Sequence, residues 1–228
     1  MELIYMDSDK LFELLEMETN EIDRSHRAAI IAKIASKYYK DAPGSNEAFL
    51  SLCEHLIASN NMCLFSIATL WLKKRKSIIE IKYFPVIEGW LCKYIHSWGT
   101  CDQFCYRILN PFVYKYPELY SDVLKWAASR ETYIRRAALV SLICSGEGNG
   151  FKVDYDLKEI LTVTDILKID SHPHIQKAAG WLLKYSYLTY PDEIIDYLKE
   201  NSKILSRTSY RYALEKVPKD LRKEMMKL

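Results

Sequence analysis

Ser97-Trp98-Gly99-Thr100-Cys101-Asp102-Gln103 holds the residue types in this chain best suited to chemistry. Thr100 and Gln103 have the spacing of a reciprocal helix cap, which predicts a helix starting at Thr100. Asp102 then falls in the first turn, where the positive end of the helix dipole favours an ionised carboxylate. Trp98 precedes the cap, in less regular backbone. A broad aromatic face and a fixed carboxylate would then be presented side by side at a helix entrance. The same residues could equally serve the helix alone, because first-turn acids commonly stabilise their own helix and tryptophans before helices commonly plug a core.

Two further places carry side chains of this kind. Arg135-Arg136 lies on an apolar helix, where adjacent residues point about 100° apart. One can face solvent or a phosphate while the other pairs with an acid. Trp181, in Ala178-Ala179-Gly180-Trp181-Leu182-Leu183, fits a core position by periodicity. Other groupings are poorer. Cys101 and Cys105 are one helical turn apart but have no partners spaced for zinc. His172-Pro173-His174 reads as a pair at a helix start rather than a metal site. Gly146–Gly150 lacks the lysine and the preceding strand of a phosphate loop. Lys73-Lys74-Arg75-Lys76 is a basic run at a helix end, where cations suit the dipole; it could also touch a phosphate backbone. No nucleophile-elbow, zinc-protease or dinucleotide fingerprint occurs.

The elements that must position these residues are helices. Only 7 Gly and 7 Pro occur in 228 residues, too few for a sheet with many tight turns. Apolar residues at i, i+3, i+4 and i+7 predict helices over roughly 8–17, 24–40, 45–58, 61–74, 78–95, 100–115, 117–128, 130–144, 154–168, 173–187, 191–200, 206–216 and 218–227. Leu11, Leu14 and Leu15 form one stripe, and Ala28, Ile31, Ala32 and Ala35 another. Pro117, Pro173, Pro191 and Pro218 each stand where a first helical turn would begin.

A repeat lies beneath this pattern. Tyr116-Pro117-Glu118 leads to Arg135-Arg136-Ala137-Ala138-Leu139, and Tyr190-Pro191-Asp192 leads to Tyr210-Arg211-Tyr212-Ala213-Leu214, an offset of 74–75 residues. The small residues Ala29, Ala68, Cys105, Ala138, Ala179 and Ala213 are spaced by 39, 37, 33, 41 and 34, the irregular period of HEAT-like helix pairs. The fold class expected is therefore all-α: a HEAT-like solenoid with an extended concave face, in one domain over residues 1–228. Arg27, Arg135, Arg136, Lys177, Arg207 and Arg211 recur beside the small residues. They could line that face as a groove for a polyanion, or they could be solvated helix surfaces.

The net charge of +2 neither requires nor excludes a nucleic-acid partner, since local patches decide. No stretch approaches 18 uninterrupted apolar residues, so no membrane span is expected. The acidic, amphipathic start is unlike a signal peptide. Six cysteines without CxxC spacing are then expected to be reduced core residues, in a cytoplasmic protein.

Four segments together resemble the AlkD-type DNA alkylation repair family. They are Ser97 to Asp102, Tyr133 to Leu139, Gln176 to Lys184 and Leu205 to Leu214, agreeing in order and spacing over roughly residues 60–220. The resemblance implies a HEAT-like solenoid acting on duplex DNA that contains alkylated bases. Active members are monofunctional glycosylases releasing cationic purines of the N3-methyladenine and N7-methylguanine type, without flipping the base into a pocket. By resemblance, Asp102, Trp98, Trp181 and Arg136 are the catalytic set, with Arg136 (Arg135 being the alternative for the family's arginine) holding a backbone phosphate. Arg135, Lys177, Arg207, Arg211 and Arg27 are the DNA-binding candidates. No metal or other cofactor is expected, and a monomer suffices. The chain departs from the family pattern at Asp23-Arg24-Ser25-His26-Arg27-Ala28, which lacks the glycine and proline many members carry before an early arginine. The alternative is a non-catalytic HEAT-like module that binds nucleic acid, DNA or RNA, or scaffolds another protein.

Overall fold

The structure, a computed structural model, describes residues 7–20, 22, 27–145 and 150–228. They form two compact units, Met1–Tyr94 and Ile95–Leu228. Residues 23–26 of the departing segment and residues 146–149 of the Gly146–Gly150 stretch lie outside the described residues.

The first unit contains α1 (Ser8–Thr19), α2 (Arg27–Tyr38), α3 (Asn46–Ala58), α4 (Met62–Lys74) and α5 (Phe84–Tyr94). Side-chain caps set three starts: Asp7 before α1, Ser45 before α3 and Asn61 before α4 each accept first-turn N–H groups. α4 is buried on nearly every side and packs on α1, α2 and α3. Its Trp71 indole donates to the Ala35 carbonyl at 2.7 Å.

That contact corrects the expected register of α2. Ala28, Ala29 and Ala32 are exposed, and the buried stripe is Ile31, Ile34, Ala35 and Tyr38. The small residue that lets α4 approach is therefore Ala35 rather than Ala29. The basic run at the end of α4 is also partly structural. Arg75 donates to the Pro43 carbonyl at 2.8 Å and lies 3.8 Å over the Phe49 ring. The helix expected from residue 78 begins only at Phe84, after two short 3₁₀ turns. Pro85 cannot donate an N–H and is tolerated only in a first turn, which sets that boundary.

The second unit contains α6 (Trp98–Phe104), α7 (Asn110–Lys115), α8 (Tyr120–Ala127), α9 (Thr132–Val140), α10 (Leu157–Leu167), α11 (Pro173–Ser186), α12 (Pro191–Glu200), α13 (Arg207–Ala213) and α14 (Lys219–Met225). α6, α9, α11 and α13 form a row in which each packs on the next, and α8 packs on α10. Cys105, Ala138, Ala179 and Ala213 are all fully buried, as the repeat requires of its small positions.

Polar ties follow the same period. Arg136 to Asp102, Arg135 to Asp170 and Ser209 to Gln176 join residues 34, 35 and 33 apart. In the first unit, Tyr83 to Glu47 and Tyr94 to Glu54 join residues 36 and 40 apart. Within each unit, helices about one repeat apart are thus bonded to one another, the nearest-neighbour logic of a repeat protein.

Two local features depart from plain helices. α6 and α7 are joined through a π-helical turn, Cys105–Leu109, in which the Asn110 N–H donates to the Cys105 carbonyl. Pro111 follows at once, and a proline ring crowds the preceding turn of an α-helix. A widened turn relieves that crowding. Second, the helix expected to run to residue 144 ends at Val140. The chain then forms a two-residue antiparallel ladder, β1 (Cys144–Ser145) with β2 (Phe151–Lys152). This ladder, within the second unit, stands on either side of the Gly146–Gly150 stretch in the sequence.

Candidate active site

The cap at the start of α6 is Ser97, three residues earlier than the spacing of Thr100 and Gln103 indicates. Ser97 Oγ accepts the Thr100 N–H at 3.2 Å, and Thr100 Oγ1 accepts the Ser97 N–H at 3.3 Å. Serine is the stronger N-cap, and Thr100 completes the reciprocal pair that Gln103 was expected to make. Gln103 instead accepts from Arg107 at 2.8 Å. Trp98 is therefore the first helical residue, and Asp102 lies in the second turn, beyond the free N–H groups of the helix start. Its charge partner is not the helix end but Arg136.

Arg136 holds Asp102 through a fork. Nε donates to Oδ1 at 2.7 Å and Nη2 donates to Oδ2 at 2.8 Å. Nη1 donates to the His174 carbonyl at the start of α11. The two side chains are only 6% and 14% exposed, so the pair is nearly dry. Burial works against the guanidinium charge, but the Asp102 hydrogen bonds and field more than offset it and raise the Arg136 pKa. One arginine thus ties α6, α9 and α11 together.

Around this pair opens a pocket of about 400 Å³, lined by Trp98, Asp102, Arg136, His174, Lys177, Trp181 and Tyr212. Trp98 is 57% exposed. Trp181 is only half-buried, which corrects its expected core position. Burial, followed by the positive fields of Arg136, His172 and Lys177, holds the His174 imidazole below its ordinary pKa of 6.5, while Asp102 pulls the other way. His172 caps α11, its Nδ1 accepting the His174 N–H at 3.2 Å. Cys101 and Cys105, one helical turn apart, are buried with sulfurs 3.8 Å apart, and burial pushes the Cys105 thiol well up. Among the described residues no group of three or more His, Cys, Asp or Glu is arranged to hold a metal ion, and no helix is long and apolar enough to cross a membrane.

A family model described as DNA alkylation repair enzyme matches residues 25–217. The chain belongs to this DNA alkylation repair family. Among curated proteins, no sequence match is found. A solved structure, AlkD2 from Streptococcus mutans, is similar at 18% identity and a TM-score of 0.64, over 92% of this chain and 98% of that one. That likeness carries the fold: all-α and HEAT-like, as the repeat spacing indicates.

In this member of the DNA alkylation repair family, Trp98, Asp102, Arg136 and Trp181 all line one pocket. The basic candidates divide. Lys177 lines the pocket and is exposed, and Arg211 is exposed on α13. Arg135 is engaged by Asp170 at 2.7 Å and by the Ser129 and Arg130 carbonyls. Arg207 donates to the Met226 carbonyl at 3.0 Å, and Arg27, in the first unit, donates to Cys63 Sγ. Of the Arg135-Arg136 pair, both members pair with acids, so the expected division between phosphate and acid is not seen. Arg136 in particular is committed to Asp102 and His174 instead of standing free for a phosphate.

Tyr212, which the sequence marks only as part of the repeat, and His174, which it marks only as one of a pair at a helix start, are pocket residues that the sequence did not assign to the site. Tyr212 had one usable signal, Gly180. A Cβ on Gly180 would come 2.6 Å from both the Ser209 carbonyl oxygen and Tyr212 Cβ. The glycine lets α11 and α13 meet closely enough to bring Tyr212 beside Trp181.

Proposed function

We propose that this pocket hydrolyses the N-glycosidic bond of positively charged alkylpurines in duplex DNA. The observation that carries the reading is Asp102, held rigidly by Arg136, in one pocket with Trp98, Trp181 and Tyr212. A cationic alkylpurine is already a good leaving group. When the C1′–N9 bond breaks, the base takes the electron pair and leaves neutral, and the sugar develops oxocarbenium character. Water adds to C1′ and releases a proton. Such a reaction needs negative charge beside the sugar more than it needs a general acid. Asp102 supplies it, since each carboxylate oxygen keeps a lone pair beyond its bond to Arg136. The aromatic faces hold the cation through their quadrupoles, each worth about 1–2 kcal/mol when desolvated.

Arg136 is assigned a different part from the phosphate contact that the resemblance implies. It orients Asp102, and its charge moderates the field of the carboxylate. Phosphate contacts fall to the exposed Lys177 and Arg211, with Arg135, Arg207 and Arg27 contributing through structure more than through charge. The pocket is open, and the base stays in the duplex in this scheme rather than turning into a cavity. The protein acts as a monomer and needs no cofactor.

The test is release of N7-methylguanine from alkylated duplex DNA by the purified protein. One observation favours a second reading: both Asp102 oxygens already accept from Arg136, as in a purely structural pair. Salt-dependent DNA binding without base release would support that non-catalytic binding module.

A further inference from the structure

Phe151 is not among the residues lining the pocket, yet it contacts the supports of both its tryptophan-bearing helices. It opens β2, paired across the ladder with Ser145. Its ring meets Trp181 edge-to-face, with centroids 5.1 Å apart and planes at 84°. It meets Tyr106 at 5.5 Å and 76°, and Tyr185 at 5.6 Å and 60°. Tyr106 belongs to the π-helical turn that continues α6, the helix of Trp98 and Asp102. Tyr185 lies one turn beyond Trp181 on α11. One ring therefore stands between the continuation of α6 and the Trp181 side of α11.

A two-residue ladder is marginal alone and needs outside support. The buried Asn110 supplies it on one side, donating to the Ser141 carbonyl at 2.8 Å and to Cys144 Sγ at 3.3 Å. Thr189 supplies it on the other, donating to the Val153 carbonyl at 3.0 Å. The hairpin stem is thus fixed to the helices on both flanks, and its Phe151 ring is a wedge of defined position. Trp181 needs such a wedge. A tryptophan χ2 is broad, and a half-buried indole can swing unless a neighbour selects its orientation. An edge-to-face partner of this geometry biases that choice several-fold.

We propose that Phe151 is a positioning residue that holds the Trp181 indole in its pocket-facing orientation and sets its spacing from the helix of Trp98. The catalytic consequence rests on the glycosylase reading above; the positional one does not. The variants are Phe151→Leu and Phe151→Met, which keep apolar bulk and lose the ring, and Phe151→Tyr, which keeps it.

Acrylamide quenching is measured in full-length protein carrying Trp98→Phe. Trp71, Trp90 and Trp126 are buried there, so Trp181 dominates the accessible fluorescence. Single-turnover release of N7-methylguanine is measured with Trp98 in place. The expected result is stronger quenching of the Leu and Met variants and a release rate lowered about five- to tenfold, on the scale of one aromatic pair, at unchanged DNA affinity. Phe151→Tyr should restore both. Unchanged quenching in whichever of the Leu and Met variants folds would overturn the proposal, as would a Tyr variant as impaired as they are. If wild-type protein releases no base, the glycosylase reading fails, and quenching alone still decides whether Phe151 holds Trp181.

Discussion

Arg136 grips both carboxylate oxygens of Asp102, at 2.7 and 2.8 Å, across 34 residues of sequence and from one helix pair to the next. The same guanidinium bonds the His174 carbonyl, so the pocket floor is one hydrogen-bonded unit built from α6, α9 and α11.

Removing one partner of this pair should be costly. Arg136→Ala leaves a carboxylate that is 14% exposed without its counter-charge, and is expected to cost about 3–5 kcal/mol in urea unfolding. The double variant Arg136→Met with Asp102→Leu should be more stable than Arg136→Ala, because no buried charge remains. A double variant as unstable as the single one would show that lost packing, not an unpaired charge, sets the cost.

Gly180→Ala should reverse the usual sign of that substitution. In a plain helix interior, alanine is favoured over glycine by roughly 0.5–1 kcal/mol. Here the new Cβ would meet the Ser209 carbonyl oxygen at 2.6 Å, and that atom belongs to backbone. Overpacking of this kind costs about 1–3 kcal/mol and displaces α13 with Tyr212. Urea midpoints should fall, and base release should fall with them; a stabilised variant would contradict the close approach.

The basic residues should separate by salt dependence. Lys177→Ala is expected to weaken DNA binding across sequences and to lower the slope of log affinity against log salt by about one. Arg135→Ala should leave that slope unchanged and instead lower stability by about 1–3 kcal/mol, because Asp170 loses its partner. Equal slopes for wild type and Lys177→Ala would remove Lys177 from the DNA contact.

His174 predicts a pH effect. Its pKa is lowered in the folded protein, by burial first and then by the neighbouring cations. The unfolded chain therefore binds more protons as pH falls through about 6.5, and stability declines through the window below that value. Tm should drop between pH 7.5 and 5.5, and His174→Gln should remove part of the drop. An identical pH slope in the variant would show that His174 does not contribute.

Much of this arrangement is legible in the residue pattern, for identifiable reasons. Ala138, Ala179 and Ala213 mark real contacts because a small side chain is the condition for close helix approach, and the polar ties repeat at the same spacing. Ala29 misleads because alanine also suits exposed helix positions; only the partner Trp71 identifies Ala35 as the contact. Thr100 misleads because Ser97 competes for the same cap, a contest that spacing alone does not decide. The Asp102–Arg136 fork joins residues far apart in sequence, and nothing local to either announces it. Phe151 and Tyr212 reach their places through a hairpin and a close helix crossing, both of them tertiary.

The most direct measurement of the central claim is the single-turnover rate of N7-methylguanine release from alkylated duplex DNA by wild-type protein and by Asp102→Asn. The asparagine keeps the shape and an acceptor for Arg136 but carries no charge. The account predicts clear release by the wild type and a rate lower by about 10²-fold or more in the variant, at similar DNA affinity, as expected when charge stabilising a transition state is removed. An Asp102→Asn rate equal to the wild-type rate, or no release by the wild type at all, would contradict it.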